Sequence, residues 1–340
     1  MGRAGVLAVL VFLAGAAWFA AAAARRPLVL VVDSYAIGLP WARGTRAGVA
    51  EVLDPARDVR VRRISLDAGG LEGAPRAARA GQARALIAAS GPAAIILMDD
   101  VAQRELGSTL AGAYRGVLIA GGIAAHGPGT VTLDGIAEQT PWPAVQDLLG
   151  EFGRQRGIAV PRVALINDTG AAGDEEAAGF TQHRWQGMQR AGVWRCADQA
   201  QWAAALAQLR TRADLVIVGG YADLALPAGL SPLAARRAVA ASTLDALRMP
   251  VLALSGYAVA DGLPVALLPS PREQGRQAAL MALASLRGQP VPAAPSPGAG
   301  QFLVLADERA LSARAMLLPE LYASYARQAR ALFQAPGTER

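Results

Sequence analysis

From residue 27 onward, short apolar runs alternate with longer segments of helical period. Leu28 to Val32, Ala94 to Met98, Gly116 to Ala120, Arg162 to Ile166, Asp214 to Val218, Pro250 to Leu254 and Phe302 to Leu305 are predicted strands. Most are continuously apolar, as parallel strands covered by helices on both faces are. Val59 to Ile64 interleaves arginine with valine and isoleucine, which places it nearer a sheet edge. The intervening segments are helical. Pro40 suits a first helical turn, and Trp41, Thr45, Gly48, Val49, Val52 and Leu53 then recur on one face until Asp54-Pro55. Pro143 opens a second such segment, with Val145, Leu148, Leu149 and Phe152 on one face, ending near Gly157; Gln201 to Leu209 and Leu233 to Leu247 continue the alternation. This is the α/β signature, and 340 residues accommodate two domains or one large α/β unit.

The strands end in a recurring way. Leu28 to Val32 runs into Asp33-Ser34-Tyr35, Ala94 to Met98 into Asp99-Asp100, and Gly116 to Ala120 into Gly121-Gly122. In the second half the corresponding ends are Asn167-Asp168-Thr169, Gly219-Gly220-Tyr221 and Ser255-Gly256-Tyr257. Ligands of open parallel sheets lie at the carboxyl ends of the strands, where loops converge and helix N-termini point their donors. Polar, glycine-rich loops are ordinary there, so the recurrence in both halves carries the argument rather than any one cluster. The candidate ligand-binding residues are Ser34, Tyr35, Trp41, Asp99, Asp100, Gly122, Asn167, Asp168, Thr169, Tyr221 and Tyr257. Hydroxyls, amides and carboxylates serve polar ligand atoms, and the aromatic rings cover apolar ones. Of Asp99 and Asp100, one is expected to cap a helix, because adjacent residues at a strand end point in opposite directions. Trp142, Trp185, Trp194 and Trp202 read as packing residues.

Composition narrows the class. One stretch, Val6 to Ala24, is long enough and free enough of charge to span a bilayer; Arg3 precedes it and Arg25-Arg26 follow. It reads as an export signal ending in Ala22-Ala23-Ala24 or as an uncleaved anchor, and either places the remainder outside the cytoplasm. Cys196 is the single cysteine, which excludes an internal disulfide and reads as a small buried hydrophobe. His126 and His183 lack partners at metal-ligand spacing, so neither a metal nor a cofactor is expected. The net charge of +6 comes from dispersed arginines, with no lysine in the chain, and describes a solvated surface rather than a nucleic-acid site. No G-x-G-x-x-G follows the first strand, and there is no P-loop and no G-x-S-x-G elbow.

Asp33-Ser34-Tyr35-Ala36-Ile37-Gly38-Leu39-Pro40-Trp41 resembles the opening of the uncharacterised ABC-transporter substrate-binding proteins of periplasmic type I fold, which read His-Ser-Tyr, then Gly, then Pro-Trp. Met98 to Ala102, Val163 to Thr169, Gln274 to Ala279 with Arg287 to Pro290, and Asp307 with Leu311 before Leu318-Pro319 follow in the family's order. The chain departs from it at Asp33, where the family has His, at Gly262 to Pro269 in place of a glycine-rich stretch, and in lacking Gly-Ile-Pro before Leu318-Pro319. The resemblance implies two Rossmann-like lobes with parallel sheets flanked by helices, joined by three crossovers. These are expected near Asp134 to Ala137, near Leu263 to Pro269, and in the proline-rich stretch from Gln289 to Pro297. The expected division is 1–24 as signal or anchor, 27–136 with 266–288 as the first lobe, and 137–265 with 299–333 as the second. It further implies a non-catalytic receptor that delivers a small molecule to an ABC permease, without carrying over the ligand's identity; the anionic Asp99 and Asp168 suit an ammonium or hydroxyl-rich ligand, an amino acid or related amine first. A sensor module partnering a membrane histidine kinase, and a hydrolase using Asp99 or Asp100, are the competing expectations.

Overall fold

The computed structural model describes residues 12–15, 25–67, 74–123, 134–137, 139–225, 229–290, 296–297 and 302–333. Most of the apolar run from Val6 to Ala24, its cleavage site, and residues 291–295 of the proline-rich stretch lie outside the described residues. Among those described, no helix is long and apolar enough to cross a membrane.

The first half runs β1 (Leu28–Asp33), α1 (Pro40–Leu53), β2 (Arg60–Ser65), α2 (Ala74–Ser90), β3 (Ala94–Met98), α3 (Asp99–Ala102), a π-helical turn at Gln103–Gly107, α4 (Ser108–Ala113), β4 (Val117–Ile123) and β5 (Asp134–Ala137). The second repeats the rhythm with α5 (Trp142–Gln155), β6 (Arg162–Asp168), α6 (Ala171–Gln182), β7 (Gln189–Cys196), α7 (Gln199–Arg212), β8 (Leu215–Val218), α8 (Pro232–Ala246), β9 (Val251–Ala253), α9 (Tyr257–Ala260) and β10 (Val265–Pro269). The chain ends with α10 (Pro271–Leu286), β11 (Ser296–Pro297), β12 (Phe302–Asp307), α11 (Glu308–Ala313), α12 (Glu320–Gln328) and β13 (Leu332–Phe333).

The described strands form two sheets, ordered β11-β5-β4-β3-β1-β2 and β13-β12-β10-β9-β8-β6-β7. Read by position within each half, both follow the order 2-1-3-4-5, so the fold is duplicated although the sequence shows no repeat. All pairings are parallel except β10 with β12. Every residue of β1 and β3 is buried, as continuous apolar strands between two helical layers should be. The arginine-rich β2 lies at an edge, as its mixed pattern predicts.

The chain passes between sheets after β5, between β10 and α10, and between β11 and β12. The expected division assigned Ala266 to Pro269 to the first lobe. Instead β10 pairs with β9 and β12 in the second sheet, because Val265, Ala266 and Leu267 are fully buried there, and the crossing comes only after Pro269. Beyond it, α10 packs on α1 through backbone contact. A Cβ at Gly48 would lie 1.8 Å from the Arg272 carbonyl oxygen, and one at Gly275 2.0 Å from that of Thr45. Only glycine permits this crossing.

Candidate functional site

In each sheet the strand order reverses between the first and third strands of the half, and a crevice opens at such a switch point outside the carboxyl ends. The first switch point lies between β1 and β3, the second between β6 and β8. Each half presents an aspartate as the last residue of its first strand, Asp33 in β1 and Asp168 in β6.

At the first switch point Asp33, Trp41, Asp99 and Gly122 converge. Asp99 opens α3 with φ 67°, a left-handed conformation that Asp tolerates better than most residues, and Trp41 Nε1 in the first turn of α1 donates to its Oδ1. Gly122, also at φ 67°, lets the backbone pass close to both: a Cβ would lie 2.8 Å from Asp99 Oδ1 and 3.7 Å from Trp41 Cζ2. Burial pushes the Asp99 carboxyl up to about 8; the Trp41 hydrogen bond opposes this, and the charges of Asp100 and Asp33 add to it. Burial likewise raises Asp33 to about 6 against the nearby Arg46 and Arg63 charges. Neither Asp99 nor Asp100 caps the helix, contrary to the sequence expectation; both lie in its first turn, and the N-cap position is Met98. Ser34 supplies the missing cap. It is fully buried, its hydroxyl donates to the Met98 carbonyl (2.6 Å), and it accepts from the Ala102 N–H (2.8 Å). Its polar capacity is therefore spent on the scaffold. Tyr35 packs partly buried against the first-lobe core, and its carbonyl accepts from Ser65 Oγ at 2.9 Å. The helix from Asp99 is interrupted by the π turn, a feature often found beside functional sites.

At the second switch point the carboxylates are more fully committed. The Asp168 carboxylate accepts from the N–H groups of Gly170 (3.0 Å) and Asp223 (3.0 Å), and so fixes two loops. Asn167, fully buried, donates to the Gly173 carbonyl (2.8 Å) and to Glu176 Oε2 (3.0 Å). Glu176 also accepts from the Gly220 N–H at 3.0 Å, and burial pushes its carboxyl up to about 7. Tyr221 is 1% exposed, its ring set edge-on to Trp202 and Tyr257, so it belongs to the core rather than to a rim. Tyr257 is half-buried beneath Arg236, which lies 5.1 Å from its ring centroid, and its hydroxyl accepts from the Tyr221 N–H. Thr169 is exposed in the loop before α6.

The two edges face one another. Burial and the Asp168 charge hold the exposed Asp223 carboxyl above its ordinary range, and the charge of Arg104, from the π turn of the first lobe, opposes them. Sequence reasoning missed Asp33, Glu176 and Arg104. Asp33 was visible as a departure from the family's histidine, and Glu176 as part of the acidic run Asp174-Glu175-Glu176 after the sixth strand.

By sequence, no family model and no curated protein matches this chain. Solved structures do match by shape. The ligand-free, open form of a Clostridium difficile substrate binding protein with adhesive properties is 12% identical over 91% of this chain and 99% of its own, with a TM-score of 0.58. An ABC domain from Streptococcus pneumonia in complex with L-Trp is 12% identical over 88% of this chain and 98% of its own (TM-score 0.52). An ABC transporter solute binding protein from Agrobacterium vitis, bound with alpha-D-tagatopyranose, is 16% identical over 88% and 99% (TM-score 0.51). With its two duplicated, mostly parallel α/β sheets and three crossings, the chain has the fold of the type I periplasmic binding proteins.

Proposed function

We propose that this chain is an exported, non-catalytic solute-binding protein that captures a small organic molecule between its two sheets for an ABC permease. The observation that carries the reading is the repetition of one switch point in each sheet, with a strand-terminal aspartate at both. Trp41, Asp99, Asp100 and Gly122, with Tyr35 at their margin, form the first-lobe half of the site. Thr169 and Tyr257 form the second, held in place by Asp168, Asn167 and Glu176. The acidic character of both halves favours an amino acid or related amine. The apolar run from Val6 to Ala24 directs the chain out of the cytoplasm.

The test is a thermal-shift screen of amino acids, amines, sugars, nucleosides and aromatic acids on the purified protein. A ligand at a hundredfold its Kd adds about 2.7 kcal/mol to stability, an easily seen rise in Tm. A screen in which no class of solute raises Tm would reject the reading, and turnover of a bound solute would replace it with an enzyme. Permease and ATPase genes beside this one support delivery; a sensor-kinase gene in their place would transfer the bound state to a receptor.

A further inference from the structure

At the first switch point, buried acceptors outnumber the donors that serve them. Asp33 is 6% exposed and its Oδ1 is enclosed with no hydrogen-bond partner. Asp99, 7% exposed, accepts from Trp41. Arg46 of α1 and Arg63 of β2 act on Asp33 only through space, and the charges acting on Asp99 are those of Asp33 and Asp100. The equivalent Asp168 differs, because two backbone N–H groups satisfy it. Two buried carboxyls without a bonded cation are costly to the free protein, and a cation that arrives with the ligand offsets that cost. The orphaned Oδ1 requires an N–H or O–H donor, which a quaternary ammonium does not carry. Gly122 brings only backbone up to the Asp99 carboxyl, where a Cβ would lie 2.8 Å from Oδ1, and the Trp41 indole edge lies against the same oxygen.

Resting on the solute-binding reading above, we propose that Asp33 and Asp99, covered by Trp41, are the cation end of the cleft: they take a primary or secondary ammonium through N–H bonds, and each ligand bound releases a proton. At neutral pH the empty site holds that proton on Asp99, whose carboxyl is pushed up to about 8. The entering ammonium stabilises the carboxylate, and the proton passes to water or buffer, so the ligand stays protonated and charge balances.

The experiment is titration calorimetry of the full chain with phenethylamine, its N-trimethylated form, 2-phenylethanol, L-tryptophan, 1,4-diaminobutane and D-tagatose. It is run from pH 6 to 8 in two buffers of different ionisation enthalpy, neither a primary amine. We expect an N–H-bearing amine to bind at least about tenfold tighter than the trimethylated form. Its affinity should climb with pH, approaching about tenfold per unit below the pKa of the pair, and its heat should differ between buffers by one proton. Asp99→Asn, which the left-handed backbone accommodates, should flatten the pH profile and weaken binding at least about tenfold; Asp33→Asn should weaken it similarly, with circular dichroism confirming the fold of both. If the sugar or the alcohol binds as tightly as the amines, if affinity is independent of pH, or if both variants stay within twofold of wild type, the cation subsite is overturned and solute binding stands. If no probe here and no solute in the wider screen binds, solute binding itself falls and the subsite with it.

Discussion

Asp99 combines a buried carboxyl with a left-handed backbone, and its neighbours are built around both. Gly122→Ala would place a methyl 2.8 Å from Asp99 Oδ1 at a φ of 67°, so a loss of roughly 1–2 kcal/mol in urea denaturation is expected. Ser34→Ala leaves the Met98 carbonyl and the Ala102 N–H without their shared partner in a fully buried site. A loss of about 1–3 kcal/mol is expected by the same measurement, larger than for a surface serine. The pH dependence follows from the raised carboxyls. A carboxyl whose folded pKa exceeds its unfolded value near 4 binds its proton more tightly when folded; its contribution is complete below pH 4 and is lost as pH rises through the folded value. For Asp33 that loss runs up to about pH 6, and for Asp99 up to about 8. Ligand-free protein should therefore lose Tm from these groups between pH 4 and 8, and Asp99→Asn should be more stable than wild type at pH 8 by several degrees, an advantage that shrinks towards pH 4.

At the scale of elements, the packing of α10 on α1 is the least forgiving contact. Gly48→Ala drives a methyl into the backbone at Arg272 and Arg276, which no rotamer change relieves. Roughly 3 kcal/mol or more of destabilisation is expected from the denaturation midpoint. Apolar period made α1 and α5 legible with their faces, since Val49, Leu53, Val145, Leu148, Leu149 and Phe152 are all buried where the pattern put them. Continuous apolar runs likewise marked the central strands. β7 was missed because its sequence, with Gln189, Arg190, Gly192 and Arg195, suits a half-exposed edge strand and carries neither alternation nor an unbroken apolar run. β10 is as apolar as the central strands, but the family resemblance puts a crossover there, and its pairing partners are not legible in the sequence. Within the candidate site, the strand ends were legible but the direction of each side chain was not. Ser34, Asn167, Asp168 and Tyr221 turn into the scaffold, and a sequence does not say whether a polar group at a strand end has found a partner in the protein.

At the scale of the molecule, three chain crossings join the two lobes, and the proposed function predicts that they act as a hinge when ligand binds. Trp41 spans the first-lobe half of the site, so its emission should change at ligand saturation while the radius of gyration from small-angle scattering falls; neither changing would rule out closure. Arg104 and Asp223 are opposite charges on opposing edges, and both are exposed. Arg104→Glu should cost roughly 0.5–1 kcal/mol of ligand affinity, a few-fold in Kd, and the loss should shrink in high salt, as calorimetry at two ionic strengths would report. The return of α10 to α1 also sets an order of assembly. The first sheet has β1 to β5 in hand by residue 137, yet the helix that covers one of its faces ends only at Leu286, after most of the second lobe has been made. During synthesis the earlier lobe therefore waits, with the core around Val29, Val31, Ile96 and Met98 closed only on the side of α1, for a segment that emerges about 130 residues later. The first lobe's core is therefore completed by a helix drawn from the far side of the second lobe, so neither lobe can finish folding independently of the other.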